Sequence, residues 1–246
     1  MFNELVIVDL DDPSTLKNVN GQFEAIIHVA AASYGAPADL MRVTGIATEL
    51  LARRAIALDV KRFVHVSAMS VYGRPNVPIV SSTTPIKHST PYGAAKWAAE
   101  CYLHDLQDRI PSISVRSPAI VGPLLGTHTH FLANVLRAML IGTENIRISN
   151  PDFLFNNIIH QETLAEFLVR LSQSTLHGFR ALPVGSAQSE PLLNLIKYMS
   201  ERSKYSGRLI WESSGAPPFS IDNDEAVSLG YRPISVRRTL ELWLSA

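Results

Sequence analysis

Tyr92 and Lys96 stand four residues apart in the segment PYGAAK, residues 91–96. On a helix, this spacing places both side chains on one face, where they can meet the same small molecule. A phenol has a pKa of about 10 and is a weak base at neutral pH, but a nearby ammonium group favours the phenolate. The pair therefore predicts proton transfer at Tyr92, with Lys96 lowering the pKa of the phenol.

The residues before this pair predict a helix start. Thr90 can cap the helix, and Pro91 is favoured at the first helical position. Tyr92 would then lie in the first turn, at the positive end of the helix dipole. The segment SAMSVYG at residues 67–73 precedes this helix and carries serine hydroxyls. Because a tyrosine and a lysine can share this spacing by chance, the interpretation depends on the elements that position them.

The composition excludes several classes of partner. The 246 residues include 46% hydrophobic and 18% charged residues, and the formal net charge is zero. Such a chain can bury a substantial core, and it lacks the basic field that would attract nucleic acid or an anionic membrane. Its apolar runs are too short for a membrane helix, and no signal-peptide pattern opens it. The single cysteine, Cys101, allows no internal disulfide, so we expect a cytoplasmic protein. We expect neither nucleic-acid nor membrane partners, because the chain lacks a basic field and a long apolar run.

Short apolar segments alternate with helical patterns along the first half of the chain. Buried strands are predicted at residues 5–8, 25–29, 63–67 and 113–116. Helices are predicted at residues 15–19, 39–58 and 91–109. This alternation predicts βαβ units and a mostly parallel α/β sheet, whose ligands bind beyond the carboxyl ends of the strands.

After residue 123 the alternation of predicted strands and helices becomes less regular. Helices are predicted near residues 131–141, 163–172, 191–203 and 236–244. Short strands are predicted at residues 147–148, 181–184 and 209–211. We interpret residues 124–246 as mainly a substrate-binding lobe, with some segments returning to the sheet.

Several motifs occur in a fixed order along the chain. They are DLDDP at residues 9–13, IHVAA at 27–31, SAMSVYG at 67–73, RSPAIVGP at 116–123 and LGYRP at 229–233. In these motifs and in the tyrosine–lysine pair, the chain resembles the extended short-chain dehydrogenase/reductases. These are the NAD-dependent epimerases and dehydratases that act mainly on nucleotide sugars.

The resemblance implies a catalytic set. Tyr92 would exchange a proton with a substrate hydroxyl, while Lys96 would hold the cofactor ribose. The hydroxyl donor of the family falls on Ala68 in this sequence. Ser67, one residue earlier, is therefore the predicted third catalytic residue, and Ser70 is an alternative.

The resemblance also implies a fold, a cofactor and partners. It implies a Rossmann-like, mostly parallel sheet with a dinucleotide-binding domain at residues 1–123 and a small-molecule substrate, most often a nucleotide sugar. It implies a homodimer formed through the helices at residues 39–58 and 91–109. It implies NAD or NADP contacts at Asp9, Leu10, Ala30, Ala31, Thr44, Tyr92, Lys96 and Pro118.

The glycine loop of that family has no counterpart in this sequence. In the family it lets backbone N–H groups reach a pyrophosphate at a helix N-terminus. No two of the 13 glycines here are two or three residues apart. We therefore interpret the chain as truncated at the N-terminus, beginning at the third strand of the family, with reduced cofactor affinity. Residues 5–8 must then pair with residues 25–29, shift elsewhere, or leave an apolar edge that favours self-association.

Two functions are compatible with these features. The first is an NAD(P)-dependent epimerase or dehydratase acting on a nucleotide sugar or related alcohol. The second is a non-catalytic relative that keeps the fold as a binding or assembly module. No metal site is predicted, because no third ligand accompanies His128 and His130. His28 and His65 are expected to be buried strand residues.

Overall fold

The computed structural model describes residues 5–123, 130–213 and 218–245. Its strands are β1 (Ala25–His28), β2 (Arg62–Ala68), β3 (Ile79–Val80), β4 (Ser112–Ser117), β5 (Ala119–Val121), β6 (Asn145–Ser149), β7 (Leu154–Phe155), β8 (Ile158–His160), β9 (Phe179–Pro183), β10 (Glu190–Pro191), β11 (Arg208–Glu212) and β12 (Ser220–Ile221). Its α-helices are α1 (Pro37–Leu40), α2 (Ala47–Ala57), α3 (Pro91–Asp105), α4 (Phe131–Leu140), α5 (Gln161–Ser172), α6 (Leu192–Arg202), α7 (Asp224–Ser228) and α8 (Val236–Leu244). A π-helical segment, Met41–Ile46, joins α1 to α2, and Pro13–Asn18 and Met69–Tyr72 form 3-10 turns.

The described chain divides into two compact units. The first holds the residues up to Arg74, together with Thr84–Ser117 and Glu166–Leu182. The second holds Pro75–Thr83, Pro118–Ala165 and the residues from Pro183 onwards. The boundary between residues 123 and 124 that the sequence suggests for domains stays a prediction.

The first unit contains a four-stranded sheet in the order β1-β2-β4-β9. The β1–β2 and β2–β4 pairs are parallel, with Ile26 opposite Phe63 and Phe63 opposite Ser112. Every residue of β4 and all but the last residue of β2 are buried, as is usual for parallel strands covered on both faces. The predicted Rossmann-like α/β sheet flanked by helices is therefore confirmed.

Residues 5–8 do not form the buried strand that the sequence predicts. The segment is not part of a strand, and the side chains of Leu5 and Ile7 are 91% and 81% exposed. An extended apolar segment becomes a strand only where a partner takes up its backbone groups. No described strand pairs with these residues, so their apolar character alone does not make a strand.

The second unit is built from small sheets and amphipathic helices. Its pairs β5–β8, β6–β11 and β3–β12 are parallel, and β7–β10 is antiparallel. Helices α4, α6 and α8 cover these strands with a shared apolar core that includes Leu136, Ile148, Leu195, Leu240 and Trp243. Among all described residues, no helix is long and apolar enough to cross a membrane.

The first unit buries several polar side chains in addition to an apolar cluster that includes Ala52, Phe63 and Leu103. His28 and His65 are 4% and 0% exposed, as expected from the sequence, and their rings stack with centroids 5.8 Å apart. The imidazole Nε2 of His28 lies 3.0 Å from Thr48 Oγ1, and Nδ1 of His65 lies 3.0 Å from Ser114 Oγ. Burial and then the charge of Lys96 lower the pKa of His28 to about 4, and the same causes lower the pKa of His65 well below its ordinary value.

Because of these two histidines, we expect the free energy of unfolding to decrease as the pH is lowered. Below about pH 6.5 the unfolded chain takes up a proton at each site while the folded chain does not. The free energy of unfolding should therefore drop as the pH falls from about 6.5 toward the folded pKa of His28, about 4. His28→Gln should reduce the loss between pH 7 and pH 5 by about 2 kcal/mol, measured by urea unfolding. His104→Gln, at a side chain 61% exposed, should leave that loss unchanged.

Gly73 is required where the chain turns after the Met69–Tyr72 segment. Its φ is +63°, and a Cβ placed there would lie 2.0 Å from the Lys87 carbonyl oxygen. Gly142 has φ of +70° but no atom within 4 Å of that position. Gly142→Ala should lower the free energy of unfolding by about 1 kcal/mol, through backbone strain alone. Gly73→Ala should lower it by about 3 kcal/mol, because the Lys87 segment must also move. Equal melting-temperature losses in the two variants would contradict the close approach.

Candidate active site

Helix α3 positions both residues of the tyrosine–lysine pair. The Thr90 side chain accepts a hydrogen bond of 3.1 Å from the Gly93 backbone N–H, and Pro91 is the first helical residue, as predicted. The helix presents Tyr92 and Lys96 on one face, with the Lys96 Nζ 6.0 Å from the centroid of the Tyr92 ring. The structure therefore brings the pair together.

The electrostatics of the pair differ from the expectation. The Lys96 ammonium donates a hydrogen bond of 2.6 Å to the Val66 carbonyl, and the side chain is 2% exposed. Burial lowers the pKa of Lys96 to about 8, although the Glu100 carboxylate opposes that shift. Burial raises the pKa of the Tyr92 phenol. The sequence predicts a lowered pKa for Tyr92, but desolvation opposes ionisation of the phenol while Lys96 turns its charge toward β2.

Ser67 is buried in a hydrogen-bond network. Its hydroxyl donates a bond of 2.5 Å to Glu100 Oε1. Arg116 donates to both Glu100 oxygens, with Nη2 2.7 Å from Oε2, and its Nη1 donates a bond of 2.7 Å to the Tyr72 hydroxyl. The Ser67 side chain therefore faces the interior between β2 and α3, and its proton is engaged by a carboxylate.

Ser70 differs from Ser67 in this respect. The Ser70 hydroxyl oxygen is shielded from solvent and has no hydrogen-bond partner among the described residues. The Ser70 backbone lies against the first turn of α3, because a Cβ added at Gly93 would lie 2.5 Å from the Ser70 carbonyl oxygen. An added polar group could bind this unpartnered hydroxyl only after a local movement that uncovers the oxygen.

Two of the residues expected to contact the cofactor, Leu10 and Ala30, line a groove in the first unit. Asp9 opens a turn in which its carboxylate accepts a bond of 2.9 Å from the Asp11 backbone N–H. Leu10 and Ala30 line a groove of about 270 Å³. The other lining residues are apolar except one; they are Val8, Leu16, Val19, Phe23, Ile26, His28 and Leu51. A groove of this character suits a flat, weakly polar ring.

The remaining predicted contacts are not among the residues that line that groove. Ala31 is exposed, and Thr44 in the π-helical segment exchanges 3.2 Å contacts with the backbone N–H and carbonyl of Ala32. Thr44 thus holds the chain directly after β1. Pro118 follows β4 and belongs to the second unit.

The described residues offer no metal centre. No group of three or more histidine, cysteine or acidic residues could hold an ion within the described ranges. His128 lies outside them. His130 caps α4, where its side chain accepts from the Ala133 backbone N–H.

Glu100 is the residue that sequence reasoning missed. It lies four positions after Lys96 on α3, fully buried, and it binds Ser67 and Arg116. A signal was present, because Ser67 and Arg116 are polar residues in strands that the sequence predicts to be buried. Such residues in buried strands need buried partners, and a carboxylate on the neighbouring helix is the natural partner for an arginine.

Comparison with known proteins gives several matches of partial coverage. A dTDP-glucose 4,6-dehydratase from Streptomyces niveus is 30% identical over 97 residues, which are 37% of this chain and 29% of that protein. The matches to the curated relatives span 29% and 47% of their lengths. A UDP-glucose 4-epimerase from Thermotoga maritima, solved with UDP-glucose, has a TM-score of 0.79 at 20% identity and covers 97% of this chain and 82% of its own.

The fold is also similar to that of RMD from Pseudomonas aeruginosa, solved with NADPH. Its TM-score is 0.78 at 18% identity, with 98% of this chain and 88% of that chain covered. At this level of sequence identity, the structural similarity shows the fold alone. Residues 2–172 match the NAD dependent epimerase/dehydratase family, which is well over half of the 246 residues. The chain belongs to the NAD-dependent epimerase/dehydratase family.

Proposed function

We propose that this protein is an NAD(P)-dependent epimerase or dehydratase that acts on a nucleotide sugar or a related alcohol. The Tyr92–Lys96 pair on α3 carries the proposal, with the lysine Nζ 6.0 Å from the tyrosine ring. The substrate class is supported by relatives described as a dTDP-glucose dehydratase and as an epimerase bound to UDP-glucose. We also propose a cytoplasmic location, on the ground of the single cysteine.

Tyr92 would act first as a proton donor. Because burial raises the pKa of its phenol, the hydroxyl is protonated at neutral pH and can give its proton to a substrate oxygen. For Tyr92 to act as a base, the Lys96 ammonium would have to turn from the Val66 carbonyl toward the phenolate. Its pKa of about 8 leaves Lys96 charged at neutral pH, so the charge needed to stabilise a phenolate is present.

Ser70 has the hydroxyl that is free to orient a substrate once a local movement uncovers its shielded oxygen. Its oxygen has no partner among the described residues, whereas the Ser67 proton is bound to Glu100. A direct role of Ser67 stays a prediction from the sequence, and Ser67 would first have to leave the carboxylate. We propose that Ser67 steadies the buried network and that Ser70 contacts the substrate.

The residues present fit a dinucleotide cofactor in part. The groove lined by Leu10 and Ala30 suits the adenine, and Lys96 would hold the ribose once its ammonium leaves Val66. A bound nicotinamide would supply hydride transfer. No glycine-rich loop for the pyrophosphate is found among the 13 glycines, so we propose weak binding of NAD or NADP to this chain.

A non-catalytic binding or assembly module is the second candidate. The observation that favours it is that these polar groups are already hydrogen-bonded inside the fold. Lys96 binds a backbone carbonyl, and Ser67 binds Glu100. The sequence also has alanine at the expected hydroxyl position, Ala68. In such a protein the fold would be kept while the catalytic groups serve only the core.

Tyr92→Phe should abolish catalysis. Removal of the phenolic hydroxyl takes away the transferable proton, and we expect the turnover of a nucleotide sugar with added NAD(P) to fall at least about a hundredfold. Tyr34→Phe, at a tyrosine 87% exposed, is the matched control and should leave turnover unchanged. Undiminished turnover by Tyr92→Phe would refute the assigned mechanism, and absence of any turnover in the native chain would favour the non-catalytic module.

Lys96→Met should stabilise the protein while removing its proposed function. Folding depresses the Lys96 pKa from 10.5 to about 8, so the charged form is costly at neutral pH and the cost is relieved as pH rises from about 8 to 10.5. We expect a gain of about 1–3 kcal/mol in unfolding free energy at pH 7 for Lys96→Met. Lys61→Met, at a side chain 61% exposed, should change stability little. A large loss of stability in Lys96→Met would mean that the ammonium is a structural anchor.

A further inference from the structure

The small sheet of β5 and β8 has two faces of different character. Val121 of β5 and Ile158 of β8 belong to the apolar core beneath α4, α6 and α8, and Ala119 packs against that core. Successive residues of a strand point to opposite faces of a sheet. Ile120 and Ile159, which are partners in the parallel register, therefore point to the other face, away from these three helices.

Asn157 and Pro118 stand at the start of this second face. Because Ala119 is the register partner of Ile158, the residues just before them, Pro118 and Asn157, lie next to each other. The alternation, continued by one residue, places both on the face that carries Ile120. All three are half-buried, and the resemblance predicts that Pro118 contacts the cofactor. Asn157 thus lies beside a predicted cofactor contact, on a face that is partly open to solvent.

The neighbouring asparagines of this segment differ in how their amides are used. Asn156 Nδ2 donates bonds of 3.2 Å and 2.8 Å to the carbonyls of Ser186 and Ile221, and Asn156 Oδ1 accepts a bond of 2.8 Å from the Ile221 N–H. In contrast, Asn157 Oδ1 is shielded from solvent and has no hydrogen-bond partner among the described residues. A buried acceptor without a donor destabilises a fold. Asn156 therefore serves the fold, whereas Asn157 Oδ1 has a use only when something else supplies a donor.

The amide of Asn157 can offer a ligand either an acceptor or a donor. The torsion about its Cβ–Cγ bond has two nearly equivalent settings, and a half turn exchanges the oxygen and nitrogen positions. Because the residue is half-buried, this movement is local to one side chain. A neutral amide matches a neutral polar group that can both donate and accept, such as a hydroxyl or a carboxamide.

We propose that Asn157 contacts the bound ligand, and that its amide binds a hydroxyl of the substrate sugar or the carboxamide of the nicotinamide. The proposal rests on the proposed function, because both groups belong to its substrate and cofactor. The contact would satisfy the orphaned oxygen and fix the orientation of the group it binds. A site built to bond such a group discriminates strongly against analogues that lack it.

Titration calorimetry with two pairs of ligands tests the proposal and identifies the bound group. NADH is compared with ADP-ribose, which lacks the nicotinamide, and UDP-glucose is compared with UDP, which lacks the sugar. In one pair, Asn157→Ala should weaken binding of the longer ligand at least about tenfold and leave that of the shorter one unchanged. A loss confined to NADH identifies the carboxamide, and a loss confined to UDP-glucose identifies a sugar hydroxyl.

Melting temperatures separate this contact from a structural role. Because the fold gives Asn157 Oδ1 no partner among the described residues, Asn157→Ala should lower the melting temperature less than Asn156→Ala, which removes three hydrogen bonds. Asn157→Ser keeps a polar group without the reach of the amide, and it should lose the same ligand. Asn145→Ala, at an exposed position of β6, should change neither affinity nor melting temperature.

The outcomes distinguish this proposal from the proposed function. If the native chain binds NADH or UDP-glucose and Asn157→Ala binds all four ligands equally well, Asn157 makes no ligand contact, while the proposed function stands. The same holds if affinity falls only together with a loss of melting temperature as large as that of Asn156→Ala. A native chain that binds neither NADH nor UDP-glucose would contradict the proposed function, and this proposal with it.

Discussion

The buried ion pair between Glu100 and Arg116 is the constraint on which the first unit depends. The two side chains are 0% and 5% exposed, and each polar bond they make joins different elements. Glu100 fixes α3 to β2 through Ser67, while Arg116 fixes β4 to the Met69–Tyr72 turn through the Tyr72 hydroxyl. Loss of either partner would leave an uncompensated buried charge, which typically costs about 3–5 kcal/mol. Tyr92 and Lys96 lie on the same helix, so their position against β2 follows from this pair.

The polar core of the first unit reduces stability, and it includes Lys96 of the proposed catalytic pair. His28 and His65 must stay neutral, and the Lys96 charge is held by a backbone carbonyl instead of a carboxylate. A purely structural core would fill this volume with apolar side chains at lower cost. The arrangement is more easily explained if Lys96 is held ready for an anionic phenolate or a ribose hydroxyl. The proposed enzyme would use this charge, whereas a non-catalytic module would keep it only as part of the core.

The sequence predicts the elements of this fold well where local physics decides. Apolar periodicity predicts β2 and α3, and Thr90 and Pro91 place the start of α3 correctly because capping is a local interaction. The sequence fails where a distant partner decides. Residues 5–8 are apolar but pair with no described strand, and the pKa of Tyr92 is raised by burial although Lys96 is four residues away. The contact of Ser67 with Glu100 also joins elements that are distant in sequence, and a direct role of Ser67 stays a prediction.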